Sequence, residues 1–148
     1  MTKVFCGGSR RIRHLNNDVQ GRINNLMGNG FDVLIGDANG ADKAIQKYLS
    51  EKRYENVTVF YAGQECRNNI DSWKTHRVAT ERRKKDFAFY VLKDVSMCDE
   101  ADYGLMLWDG ESKGVLNNII NLLKRHKKVV IYFYPNNDLI IYENDIPR

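Results

Sequence analysis

Residues 101–123 place the strongest constraint on the fold. An apolar run at 103–108 ends abruptly in Asp-Gly-Glu-Ser-Lys-Gly at 109–114, and an amphipathic helical pattern starts at Val115. A buried strand that leads through a Gly/Ser turn directly into a helix is typical of open α/β sheets. The first N–H groups of such a helix have no intrahelical acceptor, and the helix dipole favours negative charge beside them. The segment therefore predicts a strand-to-helix turn that binds an anionic ligand.

The rest of the chain repeats this alternation of short apolar runs and helical patterns. Strands are predicted at residues 3–6, 32–35, 57–61, 103–108 and 129–133, and helices at 15–27, 41–49, 81–97 and 113–125. Strands joined through helices pair in parallel, with right-handed crossovers. The sequence predicts one Rossmann-like, doubly wound α/β domain over residues 1–148, with a mainly parallel five-stranded sheet and helices on both faces.

Two further segments complete this prediction. Residues 138–143 are too apolar for a free tail, and we expect them to add an edge strand or hairpin to the sheet. Residues 62–80 are polar and longer than a usual connection between a strand and a helix, which favours a functional excursion.

Charge and composition limit the classes of function. Lys and Arg number 23 and Asp and Glu 19, so the net charge of +4 suits an anionic ligand but does not require nucleic acid. The basic residues at 82–85 are interpreted as a solvated helix face rather than a phosphate or nucleic-acid patch. No apolar run approaches the ~20 residues that span a bilayer, so we expect no membrane association.

The cysteines and histidines indicate a reducing compartment and no metal. Cys6, Cys66 and Cys98 lie far apart and form no C-x-x-C pair, which favours a cytoplasmic protein without disulfides. Cys6 and Cys98 have apolar neighbours and are expected in the core. The three histidines show no ligand spacing with one another or with cysteine, so no metal site is predicted.

A glycine-rich turn follows the first predicted strand. Gly7 and Gly8 allow the backbone to approach a ligand closely. The Ser9 hydroxyl and the Arg10 guanidinium are candidate contacts to a phosphate. A tight turn with an exposed arginine explains the same residues equally well.

The turn after the second strand, residues 36–42, has the same character. Gly36 and Gly40 are candidates for close backbone approach, and Asp37 or Asp42 is a candidate to bind a ribose hydroxyl. Capping also explains this turn locally, because a carboxylate is favourable in the first turn of a helix and Asp42 lies there.

The turn at 109–114 carries the most complete set of candidates. The Ser112 hydroxyl and the N–H groups that follow it are predicted to cradle a phosphate. Asp109 and Glu111 are the nearest acid/base groups, and we expect them to face a sugar or solvent because they would repel a phosphate. The predicted nucleotide contacts in this turn are Asp109, Gly110, Ser112, Lys113 and Gly114.

Taken together, these motifs resemble the SLOG superfamily, which includes LOG-type phosphoribohydrolases, DprA/Smf DNA-processing proteins and small stand-alone nucleotide-binding proteins. The resemblance spans about residues 4–133, and the segments that carry it are 8–10, 36–42, Lys93-Asp94-x-x-Met97 and 101–114. It implies a Rossmann-like sheet, a nucleotide or nucleotide-sugar ligand, frequent dimerisation, and a bacterial or phage origin.

The chain departs from the LOG-type pattern at the last motif. Those enzymes carry Pro-Gly-Gly-x-Gly-Thr-x-x-Glu with a catalytic Glu. Gly114 matches the second glycine, but Val115 replaces the Thr and Asn118 replaces the Glu. Loss of the carboxylate removes the general acid/base that glycosidic cleavage needs.

Three functions are therefore weighed. The first is a sensor or carrier that binds a nucleotide derivative, requires no cofactor and forms a homodimer or higher homo-oligomer. The second is a hydrolase or transferase acting on the N-glycosidic bond of a nucleoside monophosphate, as in LOG-type enzymes or deoxyribosyltransferases, with Asp94 and Glu111 as candidate catalytic residues. The third is a single-stranded nucleic-acid binder, which requires the basic residues at 82–85 to line up with the site.

Overall fold

The computed structural model describes residues 2–78 and 87–142 and contains one seven-stranded sheet. The elements are β1 (Lys3–Gly8), α1 (Asn17–Gly28), β2 (Asp32–Gly36), α2 (Ala41–Glu51), β3 (Val57–Ala62), β4 (Lys74–Val78), α3 (Phe87–Glu100), β5 (Tyr103–Trp108), α4 (Lys113–Lys124), β6 (Lys128–Phe133) and β7 (Asp138–Tyr142). A single 3₁₀ turn, Tyr134–Asn136, joins β6 to β7.

The strand order is β4-β3-β2-β1-β5-β6-β7. Strands β1 to β6 pair in parallel, and β7 pairs antiparallel with β6 at the edge. The chain builds outward from β1 to β4 and then returns to place β5 on the other side of β1. In folds of this kind ligands bind beyond the carboxyl ends of the strands where the order reverses, which here is between β1 and β5.

The two faces of the sheet carry separate apolar cores. Helices α1 and α2 bury Val19, Ile23, Ile45 and Leu49 on one face, whereas α3 and α4 bury side chains such as Met97 and Leu122 on the other. The central strands are apolar on both sides because both faces are covered. This confirms the predicted doubly wound α/β fold, and Cys6 and Cys98 are buried free thiols as expected.

The sheet differs from the prediction in strand number. The sequence predicted five strands and an extra edge element; β7 is that element, but β4 was missed. The side chains of β4, with the sequence Lys-Thr-His-Arg-Val, are almost all exposed. Edge strands commonly carry charged side chains, which remove the alternating apolar pattern that identifies a strand in sequence.

The predicted helix at 81–97 begins in a segment that lies outside the described residues, and α3 is described from Phe87 to Glu100. The basic residues at 82–85 lie outside the described residues as well. Within residues 2–78 and 87–142, no helix combines the length and the apolar character that crossing a bilayer requires.

Candidate functional site

A pocket of about 520 Å³ opens beyond the carboxyl ends of β1 and β5, and we call it the switch-point pocket. Its walls come from the turn after β1, the turn after β5, and the facing sides of α3 and α4. Its lining includes Gly7, Gly8, Arg10, Arg11, Asp42, Tyr90, Lys93, Asp94, Asp109, Glu111, Ser112, Gly114 and Asn118. The volume lies within the range of small-molecule sites in proteins.

The turn after β1 is packed too tightly for any residue but glycine at position 8. A Cβ on Gly8 would lie 2.6 Å from the Leu107 carbonyl oxygen and 2.7 Å from the Ala41 Cβ. The Ser9 hydroxyl is buried, where it donates to the Leu107 carbonyl at 3.5 Å and accepts from the Asp109 N–H at 3.1 Å. Ser9 therefore joins the carboxyl ends of β1 and β5, and its predicted phosphate contact stays a prediction.

Arginines border the mouth of the pocket. The Arg10 guanidinium lies 5.5 Å from the centre of the Tyr90 ring, and Arg10 makes no ion pair within the described part of the chain. Arg11 pairs with Glu111 at 2.8 Å, and both side chains are exposed. Arg10 is thus a cation at the rim of the pocket with no acidic partner among the described residues.

A buried charge cluster lies beneath the turn after β2. The Asp37 side chain is 1% exposed and accepts hydrogen bonds from Arg67 Nη2 at 2.7 Å and from the Arg67 backbone N–H at 2.9 Å. Lys93 Nζ, also buried, lies 3.5 Å from Asp37. Burial raises the pKa of Asp37, but the Arg67 hydrogen bonds and the Lys93 charge outweigh burial and hold this pKa below its ordinary value.

Asp42 lies in the first turn of α2 and lines the pocket. Its carboxylate accepts from the Ala38 N–H at 3.2 Å, whereas the N-cap residue of α2 is Gly40, which makes no side-chain cap. Burial raises the pKa of Asp42 to about 7, against the attraction of Lys93 and with further repulsion from Asp94. Near neutral pH the carboxyl therefore exchanges between its protonated and its charged form.

Glycines beside Asp42 make room for this arrangement. A Cβ on Gly36 would lie 2.6 Å from Asp42 Oδ2 and 3.0 Å from Lys93 Nζ. Gly40 has a φ of +79° and packs against the backbone of Arg10. Both glycines therefore shape the pocket from behind its wall.

Asp94 on α3 and Asn118 on α4 face each other at the buried end of the pocket. Burial raises the pKa of Asp94, against the attraction of Lys93 and a hydrogen bond from the Asn118 side chain. Asn118 is 6% exposed, and its Oδ1 atom has no hydrogen-bond partner among the described residues. A buried oxygen without a partner is rare in folded proteins.

The turn after β5 satisfies most of its own N–H groups. Asp109 accepts from the N–H groups of Glu111 and Ser112, each at 2.9 Å, and Ser112 caps α4 by accepting from the Val115 N–H at 3.3 Å. Burial raises the pKa of Asp109, but the hydrogen bonds outweigh burial and this pKa is lowered. The Val115 N–H donates to Ser112, so it is not available to the predicted phosphate cradle. The N–H groups of Lys113 and Gly114 come before the first intrahelical hydrogen bond and therefore have no acceptor within the helix.

The predicted site residues fall into two groups. Those that line the pocket are Gly7, Gly8, Arg10, Asp42, Asp94, Asp109, Glu111, Ser112 and Gly114. The others are Ser9, Gly36, Asp37 and Gly40, which support the wall, and Gly110 and Lys113, which lie outside the lining. Gly110, at a φ of +83°, packs against Phe133.

The sequence prediction did not include Lys93, Arg67, Tyr90 and Asn118 among the site residues. Signals existed for three of them, because Lys93 belongs to a motif of the superfamily, Arg67 lies in the polar excursion and Asn118 occupies the position of the family carboxylate. Tyr90, which lies 4.6 Å below the Arg67 guanidinium, gave no signal in the sequence. Among the described residues, no group of three His, Cys, Asp or Glu side chains is arranged to hold a metal ion.

Comparison with known proteins supports the fold at the level of architecture. No protein-family model matches the sequence, and no curated protein matches it. The structure is similar to that of DNA processing protein A from Helicobacter pylori, a protein that binds single-stranded DNA, with a TM-score of 0.64 and 12% sequence identity. The alignment covers 88% of this chain and 64% of that protein, so this chain spans less than two thirds of its neighbour. The chain therefore shares its fold with a DNA-processing member of the superfamily that its motifs resemble.

Proposed function

We propose that this protein binds a nucleotide or nucleotide-derived ligand in the switch-point pocket, as a small stand-alone member of the SLOG superfamily. The observation that carries the proposal is the division of the pocket into two parts. At the mouth, Arg10 has no ion-pair partner among the described residues and helix α4 begins, and the buried end is lined by Asp42, Asp94 and Asn118. A phosphorylated nucleoside has the matching division, because its phosphate is anionic and its sugar and base carry hydrogen-bond donors.

The mouth supplies the phosphate contacts. Arg10 has no ion-pair partner among the described residues, and the N–H groups of Lys113 and Gly114 lie at the positive end of the α4 dipole. A charge-assisted contact from arginine and a helix N-terminus together favour a dianionic group. The mouth thus selects the charged end of the ligand.

The buried end is lined by carboxyl groups and by a lysine that is already paired. Asp42, Asp94 and Asn118 line it, and Lys93 is held by Asp37 and Asp94 at 3.5 and 3.8 Å. A phosphate placed there would meet like charge, so the ligand enters with its uncharged end first.

The proposal is tested by ligand binding to a matched pair of arginine variants. A thermal-shift screen against nucleoside monophosphates, ADP-ribose, NAD and cyclic dinucleotides identifies the ligand class. A ligand at 100 times its Kd adds about 2.7 kcal/mol to the free energy of unfolding. Arg10→Ala should then lower affinity about tenfold or more, and Arg13→Ala, an exposed arginine outside the pocket, should not. Absence of a shift with every nucleotide would contradict the proposal.

Catalysis at an N-glycosidic bond is the second candidate, and the carboxyl groups of Asp42 and Asp94 in the pocket lining favour it. The raised pKa values of Asp42 and Asp94 are of the kind that general acid/base groups have. Glu111 is a weaker candidate, because it is exposed and paired with Arg11. Mass spectrometry of each bound ligand distinguishes the two functions. Release of the free base by the unmodified protein, but not by Asp42→Asn or Asp94→Asn, would identify an enzyme. Recovery of the intact ligand would identify a sensor or carrier.

Single-stranded DNA binding is the third candidate, and the fold of DNA processing protein A favours it. The arginines at the pocket mouth would then contact the phosphate backbone. Binding of an oligonucleotide should weaken steeply with salt, whereas a mononucleotide confined to the pocket depends on salt only weakly. The expected homo-oligomer stays a prediction, which size-exclusion chromatography with light scattering checks.

A further inference from the structure

Arg67 connects the long polar segment between β3 and β4 to the switch-point pocket. Residues 63–73 are all described, and none of them lines the pocket. Arg67 Nη2 donates to the Asp37 carboxylate at 2.7 Å, and the Arg67 guanidinium lies 4.6 Å from the centre of the Tyr90 ring, which does line the pocket. The segment therefore supports one wall of the pocket from outside it.

Tyr90 has a second arginine over its ring. The Arg10 guanidinium lies 5.5 Å from the centre of the same ring. Both distances are within the ~6 Å over which an aromatic ring attracts a cation, and the planar guanidinium stacks on such rings. The Tyr90 side chain therefore holds two guanidinium groups, one from the turn after β1 and one from the segment between β3 and β4.

The two arginines differ in how their charge is compensated. Arg67 pairs with Asp37, whose side chain is 1% exposed. Arg10 is exposed and has no acidic partner among the described residues. Because Arg67 is already paired and does not line the pocket, an anion that enters the mouth meets Arg10.

Resting on the proposed function, we infer that Tyr90 is a positioning residue, whose ring holds the Arg10 guanidinium at the mouth of the pocket for contact with the ligand phosphate. Arg67, anchored by Asp37, holds the ring in turn. A long exposed side chain loses rotamer freedom when it binds a phosphate, and a ring that restricts this freedom beforehand removes part of that loss. The attraction comes from the ring and does not require the Tyr90 hydroxyl.

The test is a double-mutant cycle between Arg10 and Tyr90. The protein is titrated calorimetrically with AMP, GMP, CMP and UMP. Arg10→Ala should weaken binding about tenfold, and Tyr90→Leu should weaken it about three- to fivefold, the size expected of an exposed cation–π contact. The double variant should bind no more weakly than Arg10→Ala alone, because the ring then has no guanidinium to hold.

Two control variants separate the ring from its surroundings. Tyr90→Phe keeps the ring and should keep the affinity of the unmodified protein. Tyr48→Leu removes a ring on α2 that lies 5.4 Å from Lys52 Nζ and does not line the pocket, so it should also keep that affinity. Circular dichroism confirms that the variants are folded, and Tyr90→Met, with equally good helix propensity, replaces Tyr90→Leu if the leucine variant is not.

Each outcome has a distinct meaning. Unchanged affinity in Tyr90→Leu would overturn the positioning role and leave nucleotide binding intact. A further three- to fivefold loss in the double variant would assign Tyr90 a contact with the ligand or a role in the shape of the wall, and an equal loss in Tyr90→Phe would assign the effect to the hydroxyl; each overturns the inference. Failure of every monophosphate to bind would also overturn it, and failure of the whole nucleotide screen would overturn the proposed function as well.

Discussion

The turn after β2 and the turn after β5 both end a buried strand, carry an aspartate and begin a helix, yet they stabilise that aspartate in different ways. Asp37 is held by Arg67 and Lys93, which lie 30 and 56 residues further along the chain. Asp109 is held by backbone N–H groups two and three residues away. The Asp37 carboxylate depends on partners that the tertiary fold brings to it, whereas the Asp109 carboxylate accepts mainly from N–H groups of its own turn.

This difference decides what each turn contributes. A buried carboxylate with two cations couples β2 to α3 and to the segment before β4, so it stabilises the fold that shapes the pocket. A self-capped turn contributes mainly to its own helix and leaves its outer surface available. In the proposed function, charge in the core therefore supports the site and charge at the surface takes part in binding.

The largest effect should come from removing the buried charge. Asp37→Asn leaves Arg67 without a carboxylate and leaves the buried Lys93 with Asp94 alone. Loss of one partner of a buried pair costs about 3–5 kcal/mol. The same substitution in the other turn, Asp109→Asn, should cost less than about 1 kcal/mol because asparagine caps as well as aspartate. Urea denaturation measures both, and equal losses would contradict the distinction between the turns.

The next largest effect should be a pH dependence of stability that comes from the turn after β2 and not from the turn after β5. Asp42 titrates near 3.8 when unfolded and near 7 in the folded protein. Between these values the folded protein holds a proton that the unfolded chain has released, so stability falls as pH rises. From pH 4 to pH 8, the unmodified protein should lose about 2–4 kcal/mol relative to Asp42→Asn.

Asp109 supplies the control for this pH experiment. Its folded pKa is lowered, so its contribution to stability is lost only as pH falls below its ordinary range. Asp109→Asn should therefore run parallel to the unmodified protein above pH 5. Denaturation midpoints measured from pH 4 to 8 check both variants. If the curve of Asp42→Asn also ran parallel to that of the unmodified protein, the raised pKa of Asp42 would be contradicted.

Glycine-to-alanine substitutions should have opposite signs in the two turns. Gly36→Ala places a methyl group against Asp42 and Lys93, and overpacking of this kind costs about 1–3 kcal/mol. In Gly114→Ala the new methyl meets only Ser112 Oγ, at 3.9 Å, and alanine in a helix gains up to about 1 kcal/mol over glycine. Thermal melts that shift in the same direction for both variants would rule out this account.

The smallest effects should lie within the turn after β5. Asp109→Ala removes the acceptor of two N–H groups, which resembles the loss of a helix cap and costs about 1 kcal/mol. Glu111→Ala removes an exposed ion pair with Arg11 and should cost at most about 0.5 kcal/mol. Chemical denaturation of the two variants under identical conditions measures both losses. A larger loss in Glu111→Ala than in Asp109→Ala would contradict the role of Asp109.

The contrast also explains what could be predicted from the sequence. The apolar runs, the amphipathic helices, the first-turn carboxylate of Asp42 and the cap at Ser112 are local patterns that appear in the structure. Strand β4 gave no such pattern because both of its faces are largely exposed. Asp37 was predicted to contact ligand and instead lies beneath the pocket, since its partners Arg67 and Lys93 are brought to it only by the tertiary fold.

The unpartnered oxygen at position 118 shows the same limit from the other direction. The sequence marks Asn118 only as a replacement of the family carboxylate, which indicates a loss of function. The structure adds that Asn118 is buried at the pocket lining and that its Oδ1 atom has no hydrogen-bond partner among the described residues. No sequence pattern contains either property.

The packing of the turn after β1 has a further consequence for the thermodynamics of binding. Ser9 and Gly8 join β1 to β5 through close packing and hydrogen bonds, so we expect the inner wall of the pocket to keep its shape when a ligand binds. Side-chain entropy is then lost on association mainly by the exposed Arg10 and by whichever groups of the rim close over the phosphate. Fragments that occupy only the inner wall should therefore bind with high efficiency per atom, whereas extension towards the mouth should improve enthalpy at a growing entropic cost.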